Sequence, residues 1–428
     1  MDTEFEATLD ATDEILLDVA SVLELSHADR RVAENRYRRL KTHLERDSSV
    51  LHPHLIDGES FIYAQGSIAT STTIISGTDE DRFDLDAVVE IDVPQEWSDS
   101  DALDKLEEAL QGFPGVIKII RCTRCVQLQF PFMHMDVTIL DRSEKIAVER
   151  AGEIFHSPDD GNAYRVQSNP WGFTDWYRAS VSANQAEQFN FQKLLTERRQ
   201  DHSYTRLPVL DEQERMVLAD AQQEDLPAVI PFELDAQQSV ALKLLKRYLN
   251  LTYADLDIKR PPSIYLTKRT GDYGYHPSGI TAQLFGLADF ITSDLKQHIA
   301  NGTRPCEVNP SYAADVINDR WPRDGSEGMT DLRTLTDALE TLKQKLKELA
   351  QAPLSEMSEI VDFLFGERIG AEQRKILKDR YQRTKSDTGL MIGQGSGQIF
   401  APAIVRSNQK VQDIPSHNFH CGTLKRQE

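Results

Sequence analysis

The chain has 428 residues, 39% hydrophobic and 27% charged, which is enough apolar sequence for two packed domains and too much for a largely disordered chain. A formal net charge of −21 argues against a duplex-binding protein, because Lys and Arg must neutralise nucleic-acid phosphates, but it allows a small phosphorylated substrate. The chain has only four cysteines, which predicts no disulfide framework and a reducing, cytoplasmic setting. Its acidic start lacks a signal-peptide pattern, and no apolar run is long enough to span a membrane, so no membrane binding is expected.

Residues 1–50 predict two helices that pack across the lobes of the protein. Ser26 is a candidate N-cap for the second helix. The apolar residues that follow recur three and four apart and define one face of that helix: Val32, Ala33, Tyr37, Leu40 and Leu44.

Residues 51–230 predict an α/β lobe. Short β-rich runs occupy residues 87–91 and 133–137, and a helix is expected between them over residues 100–111. Residues 182–226 are polar and show no clear period, which indicates a linker or a surface insertion within this lobe.

Residues 231–352 predict a helical second lobe. One helix is expected over residues 235–251, where the apolar stripe is Val240, Ala241, Leu244, Leu245 and Tyr248. A second is marked by Ile280, Leu284, Leu287, Ile291 and Leu295. A third carries leucines that alternate three and four apart, namely Leu332, Leu335, Leu339, Leu342, Leu346 and Leu349. A coiled-coil dimer would use the same pattern, but so short a repeat favours packing inside a lobe.

Residues 353–428 predict an appendage. A helix is expected over about residues 355–381, followed by a Gly-rich segment over residues 389–397 and a polar tail. The tail still contains Phe400 and Phe419, and a purely solvated segment has little use for aromatic side chains. These residues indicate either docking on the chain's own surface or contact with a partner protein.

Three carboxylates form the most informative pattern of the sequence. Asp84 and Asp86 are two apart, so in a strand they point to the same face. Asp136 shares a face with His134 and Thr138 in a second β-rich run, and the opposite face of both runs is apolar. Two adjacent strands could therefore aim all three acids at one point. The alternative is a solvated strand whose polar face happens to be acidic.

Carboxylates brought together repel one another and need cations. Hard oxygen ligands select Mg²⁺ or Mn²⁺, and a pair of such ions can clamp the attacking and leaving oxygens of a phosphoryl displacement. Gly66 and Ser67 precede a short run that could open a helix, where backbone N–H groups and the Ser67 hydroxyl suit a triphosphate.

The string QGSIATSTT at residues 65–73, followed by DLD at residues 84–86, resembles the signature of the polymerase-β-like nucleotidyltransferases. More narrowly, it resembles the bacterial CD-NTases, relatives of animal cyclic GMP-AMP synthase and oligoadenylate synthase. Residues 169–176 (NPWGFTDW), 242–248 (LKLLKRY) and 262–264 (PSI), together with Asn309-Pro310 and Trp321, are similar to further segments of that family. The resemblance covers about residues 61–349.

The resemblance implies a bilobal α+β fold, with a mixed sheet and helices in the nucleotidyltransferase lobe and a helical second lobe. Asp84, Asp86 and Asp136 resemble the metal ligands, with Asp136 also placed to activate the attacking hydroxyl. Two further sets resemble substrate-binding residues: Gln65, Gly66 and Ser67 near the acids, and Lys246 and Ser263 as a triphosphate clamp. Lys246 lies off its helix's apolar stripe and could reach an anion, although without the resemblance a solvated lysine would be the simpler interpretation.

The function implied is synthesis of cyclic di- or trinucleotides from nucleoside triphosphates, ATP among them, in bacterial anti-phage signalling with a downstream cyclic-nucleotide-sensing effector. No DNA or RNA is expected to be required. Some members of the family have a tail engaged by conjugation-like or HORMA-type partners, but this chain ends in Lys-Arg-Gln-Glu, unlike the conjugated tails.

Three other functions stay open from the core motif. They are template-independent nucleotidyl transfer to RNA ends, nucleotidylation of a protein or small molecule, and a non-catalytic scaffold of the same fold. Cys122-x-x-Cys125 also invites a zinc hypothesis. Against it, there is no second such pair, and residues three apart in one strand point to opposite faces.

Overall fold

The computed structural model describes residues 9–25, 27–55, 61–75, 83–131, 133–142, 146–159, 161–184, 186–203, 236–387, 391–393, 399–400 and 411–413. By its internal contacts the chain divides into two units, Met1–Gly370 and Ala371–Glu428. Ser26 and Phe419, singled out above, lie outside the described residues, as do residues 204–226 of the predicted polar insertion. Within the described part of that insertion, residues 189–203 form a helix although the sequence shows no clear period there.

A seven-stranded mixed sheet forms the first lobe of the larger unit. Its strands are β1 (Phe61–Gln65), β2 (Phe83–Ile91), β3 (Lys118–Arg121), β4 (Val126–Gln129), β5 (Met133–Asp141), β6 (Gly152–His156) and β7 (Tyr164–Ser168). The order is β1-β2-β5-β4-β3, while β6 pairs with β5 and with β7. Strands β2 and β5 run parallel, and the other pairings of this sheet are antiparallel.

Helices surround this sheet and fill the second lobe. Those before residue 236 are α1 (Leu9–Leu23), α2 (His27–Leu44), α3 (His52–Leu55), α4 (Gly66–Ala69), α5 (Asp101–Leu110), α6 (Pro170–Ser182) and α7 (Phe189–Ser203). Those after it are α8 (Gln237–Thr252), α9 (Ser263–Tyr273), α10 (Ile280–Asn301), α11 (Gly325–Gln351), α12 (Leu354–Phe365) and α13 (Glu367–Asp387). A two-stranded hairpin, β8 (Val308–Asn309) and β9 (Tyr312–Val316), lies between α10 and α11.

Alternation along β2 and β5 creates the core of the first lobe. The apolar face of these strands packs with α2 and α5 into one buried cluster that includes Leu85, Val89, Met135, Leu40 and Leu106. The predicted stripe of α2 is therefore confirmed as a core face. Because the period of a strand is two, burying this face leaves the acidic residues on the other face.

The second lobe is built around α8, which is buried along almost its whole length. It contacts α9, α10, α11 and α12, and α10 packs along α11. The alternating leucines of α11 are fully buried inside this lobe, which confirms internal packing over the coiled-coil alternative. Helix α1 contacts α8 and α10, whereas α2 packs on the sheet, so the first two helices contact different lobes.

The helix predicted over residues 355–381 is two helices. Helix α12 ends at Phe365 and α13 begins at Glu367. Gly366 separates them with φ +90°, a left-handed value that stops the α-helix and that glycine adopts without a steric cost. In the second unit, β10 (Met391–Gly393) lies between β11 (Ile399–Phe400) and β12 (Val411–Asp413) in an antiparallel sheet within the stretch expected to be a Gly-rich segment and tail.

Asn169 joins the two lobes. Its side chain caps α6 by accepting from the Gly172 N–H at 2.8 Å, and its own N–H donates to Asp315 at 2.8 Å. Its carbonyl accepts from the Asn309 side-chain amide at 2.8 Å. The NPWGFTDW segment and the Asn309-Pro310 pair, 140 residues apart, therefore meet at one buried joint.

Candidate active site

The acids lie side by side because β2 and β5 are parallel and in register. Asp86 is paired with Asp136, and Asp84 with His134. The His134 imidazole lies 3.7 Å from the Asp84 carboxylate. The structure thus brings the three acids to the same face of neighbouring strands, as the alternation predicts.

The surroundings of these three acids disfavour their ionised forms. Burial raises the pKa of Asp86 to about 8, and the carboxylates of Asp136 and Asp84 act in the same direction. Burial also raises the pKa of Asp136, although a hydrogen bond from Gln127 opposes that shift. Three oxygen-rich groups in this state fit a hard divalent cation. Among the described residues, however, no three His, Cys, Asp or Glu side chains come close enough to form a ready-made metal site.

Gly66 makes room for the central acid. Its φ is +64°, and a β-carbon at this position would lie 2.1 Å from Oδ2 of Asp86. Gln65 is the register partner of Asp86 across β1 and β2. Ser67 follows in α4, so these three predicted residues are placed beside the acids.

A hydroxyl network ties this segment to the second lobe. Thr73 donates to Oγ of Ser67 at 3.0 Å. Nζ of Lys246 donates to Oγ1 of Thr72 at 2.9 Å and to its carbonyl at 3.3 Å. Lys246 is thereby connected through residues 72–73 to Ser67.

Lys246 is buried, with 6% of its surface exposed, so the interpretation as a solvated helix lysine is wrong. Burial lowers its pKa to about 7, while the Asp86 carboxylate opposes that shift. A buried ammonium held by a neutral threonine favours an incoming anion.

Ser263 begins α9 and is exposed. Helix α9 contacts α4, the short helix that carries Ser67. The two ends of the predicted triphosphate site therefore lie on contacting elements.

Gln127 is a site residue that the sequence interpretation missed. It lies opposite Asp136 on β4, and its Nε2 donates to Oδ1 of Asp136 at 2.9 Å. Gln129 in turn donates to Oε1 of Gln127 at 2.9 Å. The sequence carries only part of the signal: the alternation Val-Gln-Leu-Gln in β4 places both amides on the polar face, but their contact with Asp136 depends on the pairing of β4 with β5.

The expectation that Cys122 and Cys125 point to opposite faces is wrong. They do not share a strand but flank the two-residue turn between β3 and β4, where the Cys122 N–H donates to the Cys125 carbonyl at 2.9 Å. Their thiols contact each other, and the Cys125 thiol also hydrogen-bonds Asp136. Both are free cysteines, and the part of the chain that the structure describes offers no metal cluster around them.

Comparison with known proteins agrees with this geometry. Residues 11–180 match the family model described as the Second Messenger Oligonucleotide or Dinucleotide Synthetase domain, SMODS. The chain is 29% identical over 402 residues to the cyclic dinucleotide synthase CdnG of Bradyrhizobium diazoefficiens, covering 92% of this chain and 89% of the relative.

Solved structures show the same fold. The structure of Bradyrhizobium diazoefficiens CdnG in complex with GTP matches with a TM-score of 0.70 and 26% identity, over 86% of this chain and all of that one. The complex of E. coli MS115-1 CdnC with a HORMA protein matches with a TM-score of 0.52 and 14% identity, over 82% of this chain and 96% of that one.

The mixed sheet with its paired acids and the helical second lobe define a polymerase-β-like nucleotidyltransferase. Within that superfamily the chain is similar to the bacterial CD-NTase CdnG over most of its length. No described helix is long and apolar enough to cross a membrane.

Proposed function

We propose that this chain makes cyclic di- or trinucleotides from nucleoside triphosphates, with release of pyrophosphate. The observation that carries the proposal is the pairing of Asp86 with Asp136 beside a segment tied to the buried Lys246. In this arrangement the carboxylates would lie beside the reacting α-phosphate, and the Lys246 ammonium would lie beside the β- and γ-phosphates. The Bradyrhizobium relative is a cyclic dinucleotide synthase whose structure contains GTP, and both facts support the same chemistry here.

In the proposed reaction a 3′- or 2′-hydroxyl of one nucleotide attacks the α-phosphorus of another triphosphate. Asp136, whose carboxylate is oriented by hydrogen bonds from Gln127 and the Cys125 thiol, would accept the proton of the attacking hydroxyl. The bond between the α-phosphorus and the bridging oxygen breaks, and pyrophosphate leaves toward Lys246 and Ser263. A second transfer of the same kind closes the linear product into a ring.

Two divalent cations, Mg²⁺ or Mn²⁺, are the cofactors of this proposal. Asp84, Asp86 and Asp136 would hold them, since carboxylate oxygens are hard ligands and the mutual repulsion of these groups is relieved by a cation. Bound there, such ions supply charge stabilisation for a phosphoryl displacement. We expect Mg²⁺ to raise the melting temperature of the wild type and to raise that of Asp86→Asn less.

Mass spectrometry of products tests the function directly. Purified, nuclease-treated protein is incubated with all four nucleoside triphosphates and Mg²⁺ or Mn²⁺, with Asp86→Asn as the inactive control. Cyclic products and pyrophosphate, without added nucleic acid, are the expected result. Extension of tRNA ends, or nucleotide attached to a protein or small molecule, would replace the proposal by one of its alternatives. No transfer of any kind would indicate a scaffold.

A cytoplasmic role in anti-phage defence, with an effector that senses the product and a partner protein at the tail, completes the proposal. E. coli CdnC has been solved in complex with a HORMA protein, which supports looking for such a partner here. We expect a chain truncated at residue 397 to retain nucleotide chemistry. Collapse of catalysis in a folded truncation would assign the tail to the active site.

A further inference from the structure

The loop between α8 and α9 carries an arginine beside the candidate site. The Arg260 guanidinium donates to Oδ1 of Asn250. Asn250 lies four residues after Lys246 on α8, so the two side chains share one face of that helix. Three residues after Arg260 the chain reaches Ser263 at the start of α9. Arg260 therefore contacts the helix that carries Lys246 and precedes Ser263 by three residues along the chain.

Two charged residues of the candidate site interact electrostatically with Arg260. The Asp84 carboxylate acts on Arg260, and Arg260 is one of the cations that contribute to the lowered pKa of Lys246. Asp84 is the most exposed of the three acids, with 65% of its side chain accessible. Arg260 is thus within electrostatic range of the Asp84 carboxylate and of the buried Lys246.

Arg260 also differs from the neighbouring arginines in what holds it. Arg178 donates through two nitrogens to the carbonyl of Ala69, and Arg247 donates to the carbonyl of Phe365. Both of these arginines hold a backbone carbonyl of another segment in place. Arg260 is exposed, and its described hydrogen bond goes to a neutral side-chain amide. Among the described residues no carboxylate forms an ion pair with this guanidinium, so donors of its planar fork remain for an anionic ligand.

We propose that Arg260 is a further substrate-binding residue, which binds the β- and γ-phosphates of the donor nucleotide and stabilises the charge that develops on pyrophosphate as it leaves. A phosphate chain that runs from the acids toward Lys246 passes this guanidinium. Lys246 stays bound to Thr72 and contributes a buried point charge, whereas Arg260 supplies directional hydrogen bonds. The inference rests on the proposed function, because it requires a nucleoside triphosphate as donor.

Binding of GTP and GMP to the full chain tests the assignment without turnover. We compare the wild type with Arg260→Gln, Arg260→Lys and a matched control, Arg333→Gln, which changes an exposed arginine of α11. In Arg260→Gln the affinity for GTP is expected to fall about ten- to a hundredfold, as for the loss of a charge-assisted hydrogen bond. The affinity for GMP is expected to be unchanged, Arg260→Lys to be intermediate, and the control to match the wild type.

The leaving-group role has its own measurement. A triphosphate with a β,γ-difluoromethylene bridge releases a less basic leaving group, so it should recover part of the rate lost in Arg260→Gln, which a merely structural residue would not allow. An unchanged affinity for GTP in folded Arg260→Gln overturns the inference. So does an equal loss of affinity for GTP and GMP, which would indicate recognition of base or ribose. If the wild type binds no triphosphate and forms no product, the proposed function fails with it.

Discussion

Strand β2 and helix α8 both contribute charged residues to the site, but they do so in opposite ways. Along β2 the acids alternate with apolar residues, so one face packs in the core and the other carries the candidate catalytic acids. Helix α8 has no solvent face, and its cations are buried among different partners. Lys243 pairs with Glu24 at 2.8 Å, Lys246 binds Thr72, and Arg247 binds a backbone carbonyl.

The contrast shows in which elements the role of a polar residue can be predicted from its position in the sequence alone. In a half-buried strand, two-residue periodicity assigns each side chain to a face. In a helix buried on all sides, adjacent cations differ in role, and only the partner of each decides between stability and chemistry. Substitutions in the two elements should therefore separate into distinct effects.

The largest effect is expected at the acids. Asp136→Asn and Asp86→Asn should each reduce product formation at least about a thousandfold, because a carboxylate that serves the transition state is lost. Asp86→Asn should at the same time raise the melting temperature of the metal-free protein, since burial and like charges disfavour its carboxylate. Product analysis and thermal unfolding measure the two quantities, with Asp104→Asn on the exposed side of α5 as a control. Wild-type turnover in either variant would remove the acids from the mechanism.

Lys243→Met should affect stability rather than chemistry. It leaves the Glu24 carboxylate buried without its ammonium, which costs about 3 kcal/mol of the free energy of unfolding. The double variant with Glu24→Met should recover most of that loss, because an apolar pair can replace a buried ion pair. Urea unfolding of the wild type, the two single variants and the double variant measures these free energies as a double-mutant cycle. A folded Lys243→Met with wild-type stability but a weakened affinity for GTP would place Lys243, too, in the substrate site.

Lys246→Ala should show the reverse pattern. Its partner Thr72 is neutral, so we expect a loss of about 1 kcal/mol in the free energy of unfolding, and a loss of affinity for GTP of about tenfold. Titration calorimetry and urea unfolding on the same sample compare the two losses. If the Lys243 and Lys246 variants lose stability and GTP affinity to the same extent, the proposed difference in role between these two lysines of α8 is wrong.

Ser263→Ala should give the smallest effect, a few-fold weaker use of triphosphate with stability unchanged within about 0.5 kcal/mol. The serine is exposed at the start of α9 and contributes a single neutral hydroxyl. Steady-state rates as a function of GTP concentration measure it. Unchanged kinetics here and in Lys246→Ala would show that the triphosphate lies elsewhere.

The sequence predicted what depends on local periodicity. The acidic face of β2 and β5, the buried stripe of α2 and the leucines of α11 follow from spacing along single elements. The break at Gly366 was missed because the apolar pattern runs through it, and a glycine's φ is set by packing. The cysteine pair was misinterpreted because a turn, not a strand, separates the two residues.

The remaining site residues required the fold. Gln127 gains its role only when β4 pairs with β5 at Asp136. Arg260 lies in a loop with no periodic signal, and its position depends on Asn250 in the preceding helix. Such residues are set by contacts between elements, and no spacing rule within one element predicts those contacts.

The Lys243–Glu24 pair also has a consequence for synthesis of the protein. The two residues are 219 positions apart, and α1 packs against α8 and α10. A ribosome adding about 5–20 residues per second completes the partner of α1 roughly ten to forty seconds after the helix itself. During that interval Leu16, Val19 and Leu23, fully buried in the finished protein, have no second lobe to cover them. Helix α1 is thus a segment whose apolar face the nascent chain exposes until α8 and α10 have been synthesised.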